Sequence, residues 1–134
     1  MTAEDHKRVA LVTGAAGGIG EAIGAALRAD EWLTYGVDLE ACDGFTDSIA
    51  VDLATRRGNR AAIEGAIERF GRLDAIVANA GLQQVAPVEE MPEDTWDLLI
   101  ALLLTSPFLQ ISRDRKSTRL NSSHPSKSRM PSSA

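Results

Sequence analysis

The sequence has a single cysteine, Cys42, so it can form neither an internal disulfide nor a thiolate metal cluster. Its two histidines, His6 and His124, lie near opposite ends, and a histidine metal site is not expected. No apolar run reaches 18 residues, so neither a transmembrane helix nor a membrane partner is expected. The opening MTAEDHKR is polar and acidic with no apolar stretch behind it, which points to a cytoplasmic protein. Basic charge is scarce over residues 1–112, where eight Lys/Arg face eighteen Asp/Glu, a balance of −10. A body of that sign argues against nucleic acid as a partner.

Residues 113–134 reverse the charge, with six Lys/Arg, one Asp and seven Ser; their +5 and the body's −10 give the net −5. Only Leu120, Met130 and Ala134 are apolar there, too few to offset the entropy of ordering. A basic tail of this kind could be a nucleic-acid arm. A more specific match is available: DRKSTRLNSSH and SRMPSSA resemble translated sequencing-adapter DNA, with Pro125, Ser126 and Lys127 where a variable index falls. Residues 113–134 are therefore expected to be a non-native, disordered tail, and the natural protein is expected to continue beyond Ser112.

In the body, apolar runs alternate with helical patterns. RVALVTG reads as a buried parallel strand, and WLTYGVD, SIAVDL and LDAIVANAG read as three further strands. Ile19, Ala22, Ile23, Ala26 and Leu27 recur at helical spacing. From Arg57 to Phe70 a second helix is expected, with Gly71 as its stop. A third starts at Pro92, where Glu93 and Asp94 complement the dipole, and Pro107 should kink or end it. The alternation implies right-handed crossovers and a parallel sheet, an α/β Rossmann-type architecture truncated after about four strands. Nine residues between strands two and three are short for a parallel crossover, so a single helical turn or a bare loop is expected.

TGAAGGIG, Thr13 to Gly20, joins the first strand to the first helix. There Gly14 permits a sharp turn, Gly18 lets backbone approach a phosphate, and Gly20 permits close helix packing. Asp38, 18 residues after Gly20, is placed to bond ribose hydroxyls and to repel a 2′-phosphate, which favours NAD over NADP. Asp52 either reaches the adenine or caps the following helix. Asn79, Ala80 and Gly81 end strand four on the same edge of the sheet.

VALVTGAAGGIG, VDL, LDAIVANAG and EDTWDLLIALLLTSPF together resemble the short-chain dehydrogenase/reductase family from about Arg8 to Gln110. The resemblance implies that Gly14, Gly18, Ile19 and Gly20 hold the pyrophosphate, Asp38 the ribose, Asp52 and Leu53 the adenine, and Asn79 to Gly81 the ribose on the nicotinamide side. It also implies a catalytic Ser and Tyr-x-x-x-Lys, which this chain lacks, since its one tyrosine is Tyr35 and Leu39 lies four positions on. No catalytic residue is assigned. The Asn that usually follows the helix Trp by seven residues is Leu103. NAGLQQVAPVEEMPEDTW is similar to bacterial 3-hydroxybutyrate dehydrogenases, in which a Gln at the place of Gln83 holds the substrate carboxylate; Gln83 could equally be a loop amide facing water. The short strand-two connection is more like dihydrodiol-type dehydrogenases.

Residues 1–112 are thus read as the NAD-binding portion of an alcohol/ketone dehydrogenase, homo-oligomeric at full length. The alternative is a dinucleotide-binding module without catalysis.

Overall fold

The computed structural model describes residues 6–121, with side chains as far as Ser117. Strand β1 (Val9–Thr13) leads into helix α1 (Gly18–Ala29), then β2 (Leu33–Asp38), β3 (Asp47–Ala50), α2 (Arg56–Phe70) and β4 (Ala75–Val77). After a single tight turn at Val88–Glu90 comes α3 (Glu93–Ile100), a π-helical turn (Ala101–Thr105) and α4 (Ser106–Asn121). The strands form one parallel sheet in the order β3-β2-β1-β4, as the alternation of elements implies.

Both faces of β1 are buried, which is why it reads as an unbroken apolar run. One face packs Leu11, Tyr35 and Val37 against Ala62, Ile63 and Ala66 of α2. Gly71, at φ +77°, ends α2 in the left-handed conformation and donates its N–H to Ile67 O at 2.7 Å.

The short β2–β3 connection contains no helix. Its end is held by Thr34 and Thr46, whose hydroxyls each accept the other's backbone N–H at 3.0 and 3.1 Å. Phe45 plugs a notch between α1 and β2. A Cβ at Gly24 would lie 2.6 Å from its ring, and one at Gly36 2.8 Å.

Pro107 does not end the last helix. The π turn directly before it widens the ladder, so that Ser106 N–H reaches back five residues to Ala101 O. This absorbs a residue that cannot donate an N–H and would crowd the preceding turn. The helix then continues through residues 113–121, the first nine of the stretch expected to be disordered, whose Arg, Lys and Leu are good helix formers. Residues 122–134 of that expectation lie outside the described residues. By length and composition alone the run Glu93–Ser117 is long and apolar enough to cross a membrane, with mean hydropathy 1.3 over its best window. Its Ser106 and Gln110 are nevertheless buried on Asn59 of α2, within the layer that covers the sheet.

At the opposite edge of the sheet Asp74 ties β4 to β1. Its carboxylate accepts Val9 N–H at 2.8 Å and both Arg72 Nε and Nη2. Burial pushes this carboxyl up, but the Arg72 hydrogen bonds and the Val9 N–H outweigh it and hold the pKa below its ordinary value. A depressed acid contributes stability above its unfolded pKa that is lost as pH falls through the folded one. Asp74→Asn should therefore lower the urea midpoint at pH 7, and the gap should close on acidification below the ordinary carboxylate range. A gap of equal size at acid and neutral pH would refute this.

Candidate dinucleotide site

The carboxyl ends of the four strands open into a cleft of about 640 Å³. Gly14, Gly18, Ile19, Gly20, Asp38, Asp52, Leu53, Asn79, Ala80 and Gly81 all line it. The structure therefore brings together every residue expected at the dinucleotide. Gln83 is apart from them, exposed in the segment after Gly81.

The three glycines do different work. Gly14 has φ +67°, and a Cβ there would lie 2.9 Å from Asn79 Nδ2 and 3.0 Å from Ala80 Cα. It is both the turn and the contact with the β4 end. A Cβ on Gly20 would sit 2.1 Å from Gly14 O, so α1 rests directly on the loop's own backbone. Gly18 differs, because a Cβ there would meet nothing within 4 Å. Its open side faces the cleft, at the start of a helix whose N-cap, Gly17, offers no side-chain acceptor. Bare N–H groups at a helix N-terminus fit a pyrophosphate.

Asp38 closes the other side of the loop. Its Oδ2 accepts Ala16 N–H at 2.9 Å and its Oδ1 accepts Leu39 N–H at 2.7 Å. Asp52 does not cap α2. That position belongs to Thr55, whose Oγ1 accepts Gly58 N–H at 3.0 Å, while Asp52 Oδ1 accepts Ala54 N–H at 2.9 Å. Burial, then the carboxylates of Asp38 and Asp43, push the Cys42 thiol pKa up.

Thr13 was not singled out in the sequence, yet it joins the two halves of the site. Its buried Oγ1 accepts the N–H groups of Asn79 (3.0 Å) and Ala80 (2.9 Å). Asn79 Nδ2 returns a bond to Thr13 O at 3.2 Å. A threonine that closes a strand before a glycine turn was the available signal. Leu98 of α3 and Leu102 of the π turn also line the cleft; their four-residue spacing off the main apolar stripe could have shown this. Leu103 is 55% exposed, and its Cδ2 lies against Gly81. It offers no hydrogen-bonding group. Tyr35 is buried among the α2 contacts, edge-on to Phe70, and lies outside the cleft.

A family model described as short chain dehydrogenase matches residues 8–113. The chain belongs to the short-chain dehydrogenase family. It is 42% identical over 116 residues to the uncharacterized oxidoreductase YxjF of Bacillus subtilis, an alignment covering 78% of this chain and 45% of that protein. It is 36% identical over 114 residues to D-threitol dehydrogenase of Mycolicibacterium smegmatis, covering 76% and 44% respectively. The fold superposes on a metagenomic short-chain oxidoreductase solved in complex with NADP, with TM-score 0.76 and 28% identity over 84% of this chain and 57% of that one. The chain thus spans less than half the length of these curated relatives. In this family's terms the cleft is its dinucleotide end, and the open face at Gly18 with the uncapped start of α1 fits such a cofactor.

Proposed function

We propose that this chain is the NAD-binding portion of a dehydrogenase that transfers hydride between a small alcohol and the corresponding ketone. The observation that carries the choice of NAD is the Asp38 carboxylate, fixed beside the glycine loop by the Ala16 N–H. A ribose 2′-hydroxyl can donate to that carboxylate, whereas a 2′-phosphate would be repelled by it. The bound nicotinamide supplies the hydride acceptor or donor. In the chain, Gly14, Gly18, Ile19 and Gly20 hold the pyrophosphate, Asp38 the adenosine ribose, Asp52 and Leu53 the adenine, and Asn79 to Gly81 the second ribose. Gln83 can donate to a substrate carboxylate, and a short hydroxy acid such as 3-hydroxybutyrate is the substrate class we carry forward.

The native portion is residues 1–112, followed by a non-native segment at 113–134; the family match stopping at residue 113 supports that division. We place the full protein in the cytoplasm as a homo-oligomer. The chain itself contains no Tyr-x-x-x-Lys, which favours a second reading of the chain alone, as a dinucleotide-binding module without turnover.

Fluorescence titration of the full chain should give tighter binding of NADH than of NADPH, by about tenfold or more, since a like-charge contact costs more than the 1.4 kcal/mol of one decade. Asp38→Ala should narrow the ratio. Equal affinity in the unmodified chain would refute the NAD assignment. Hydride transfer above background with any alcohol or ketone would refute the non-catalytic reading.

A further inference from the structure

Helix α1 is seated at two buried glycines one turn apart. At Gly20 it rests on Gly14 O of the dinucleotide loop, and at Gly24 it rests on the ring of Phe45. Phe45 belongs to neither α1 nor β2 but to the connection that follows β2. On the strand side of the ring lies Gly36, where a Cβ would be 2.8 Å from Phe45 Cγ, 2.9 Å from its Cδ2 and 3.1 Å from Ala15 Cβ. Neither α1 nor β2 has a side chain at this point, so the ring sets the height of the helix over the strand.

Thr34, Gly36 and Asp38 alternate onto one face of β2, opposite Tyr35 and Val37, which pack on α2. Each makes a different tie. Thr34 is bonded to Thr46, the residue after Phe45. Gly36 takes the Phe45 ring. Asp38 accepts Ala16 N–H at 2.9 Å, and beside it Ala15 N–H reaches Val37 O at 3.2 Å. Ala15 and Ala16 lie just before the start of α1, so they meet the end of β2 only while the helix keeps its height. Without the ring, α1 would rest at Gly20 alone and could tilt toward β2, carrying the Ala16 N–H off the Asp38 carboxylate. Close-packed layers pass such shifts on.

We propose that Phe45 is a positioning residue for cofactor selection: its ring fixes the height of α1 over β2 and thereby holds Asp38 on Ala16, in the pose that accepts a ribose 2′-hydroxyl and repels a 2′-phosphate. This rests on the NAD reading above.

Titration of the full chain with NADH and NADPH is combined with amide hydrogen exchange. In Phe45→Ala the preference for NADH should shrink from about tenfold or more to about threefold or less. Ala16 should exchange about tenfold faster while Leu11 of β1 keeps its protection. A ring that only stabilised the fold would weaken both dinucleotides alike and leave their ratio unchanged. In an Asp38→Ala chain, adding Phe45→Ala should not move the ratio, because the ring acts through that carboxylate. Phe45→Leu, which keeps an apolar plug of smaller size, should fall between, and it decides should Phe45→Ala unfold. An unmodified chain that binds both dinucleotides alike refutes the NAD reading, and Ala16 exchange then judges the role of Phe45 by itself. An NADH preference that survives Phe45→Ala in full, or Ala16 exchange that this change leaves as it was, would overturn the proposal.

Discussion

Gly18→Ala is expected to weaken NADH binding at least tenfold while leaving the melting temperature unchanged or slightly raised. A methyl group at this position meets no atom of the protein within 4 Å, so folding has nothing to oppose. The residue opens α1, and alanine is the better helix former of the two. The same methyl group would occupy the space through which a phosphate approaches the bare N–H groups of the helix start. Gly20→Ala should weaken binding as well, but for a different reason. Its Cβ would lie 2.1 Å from Gly14 O and 3.0 Å from Ala15 Cα, and backbone cannot yield as a flexible side chain would. The helix must shift, at a cost of about 1–3 kcal/mol. The pair therefore separates ligand approach from folding. Calorimetric melts and NADH titrations on both variants give the comparison. A Gly18→Ala chain that binds NADH normally would show that the pyrophosphate does not lie over this glycine.

These glycines were legible in the sequence because their roles are local. A turn, an approach and a helix contact within eight residues follow from the spacing and from the strand before them. Asp38 was legible for the same reason, as the acid that ends the second strand. Phe45 was not, because its partners, Gly24 and Gly36, lie on two other elements and only the folded chain brings them together. Thr13 was hidden in the same way, since its hydroxyl bonds residues 66 and 67 positions away. Of the two readings of Pro107, an end to the helix did not hold, because the rule for proline assumes a regular α ladder and the π turn before it relaxes that assumption. Gln110 has no sequence cue at all. A buried glutamine on an apolar helix has meaning only through the asparagine it meets.

That asparagine carries the second large expected effect: Asn59→Leu should cost about 2–6 kcal/mol and loosen α4 from the sheet layer. Asn59 is 2% exposed. Its Nδ2 donates to Leu53 O at 2.9 Å and to Thr55 O at 2.8 Å. Its Oδ1 accepts Ser106 Oγ at 2.6 Å and Gln110 Nε2 at 3.0 Å. Thr55 O keeps a second partner in Asn59 N–H, and Gln110 Nε2 keeps Ser106 Oγ. Two groups, Leu53 O and the Ser106 hydroxyl, would be left buried without their Asn59 bond, at about 1–3 kcal/mol each. That is a large share of a total stability of about 5–15 kcal/mol. The contacts of α4 explain why so much rests on one residue. Phe108 and Ile111 are exposed, so apolar burial does not fix which face of the helix meets α2. The polar triad does, because only one rotation brings Ser106 and Gln110 to Asn59. Urea melts should show the loss, and amide exchange should rise in α4 before it rises in β1 and β2. The triple variant Asn59→Leu/Ser106→Ala/Gln110→Leu removes the polar groups together and should recover much of the stability, since only Leu53 O then lacks its partner. If Asn59→Leu alone melts like the unmodified chain with α4 equally protected, packing rather than the triad sets the helix rotation.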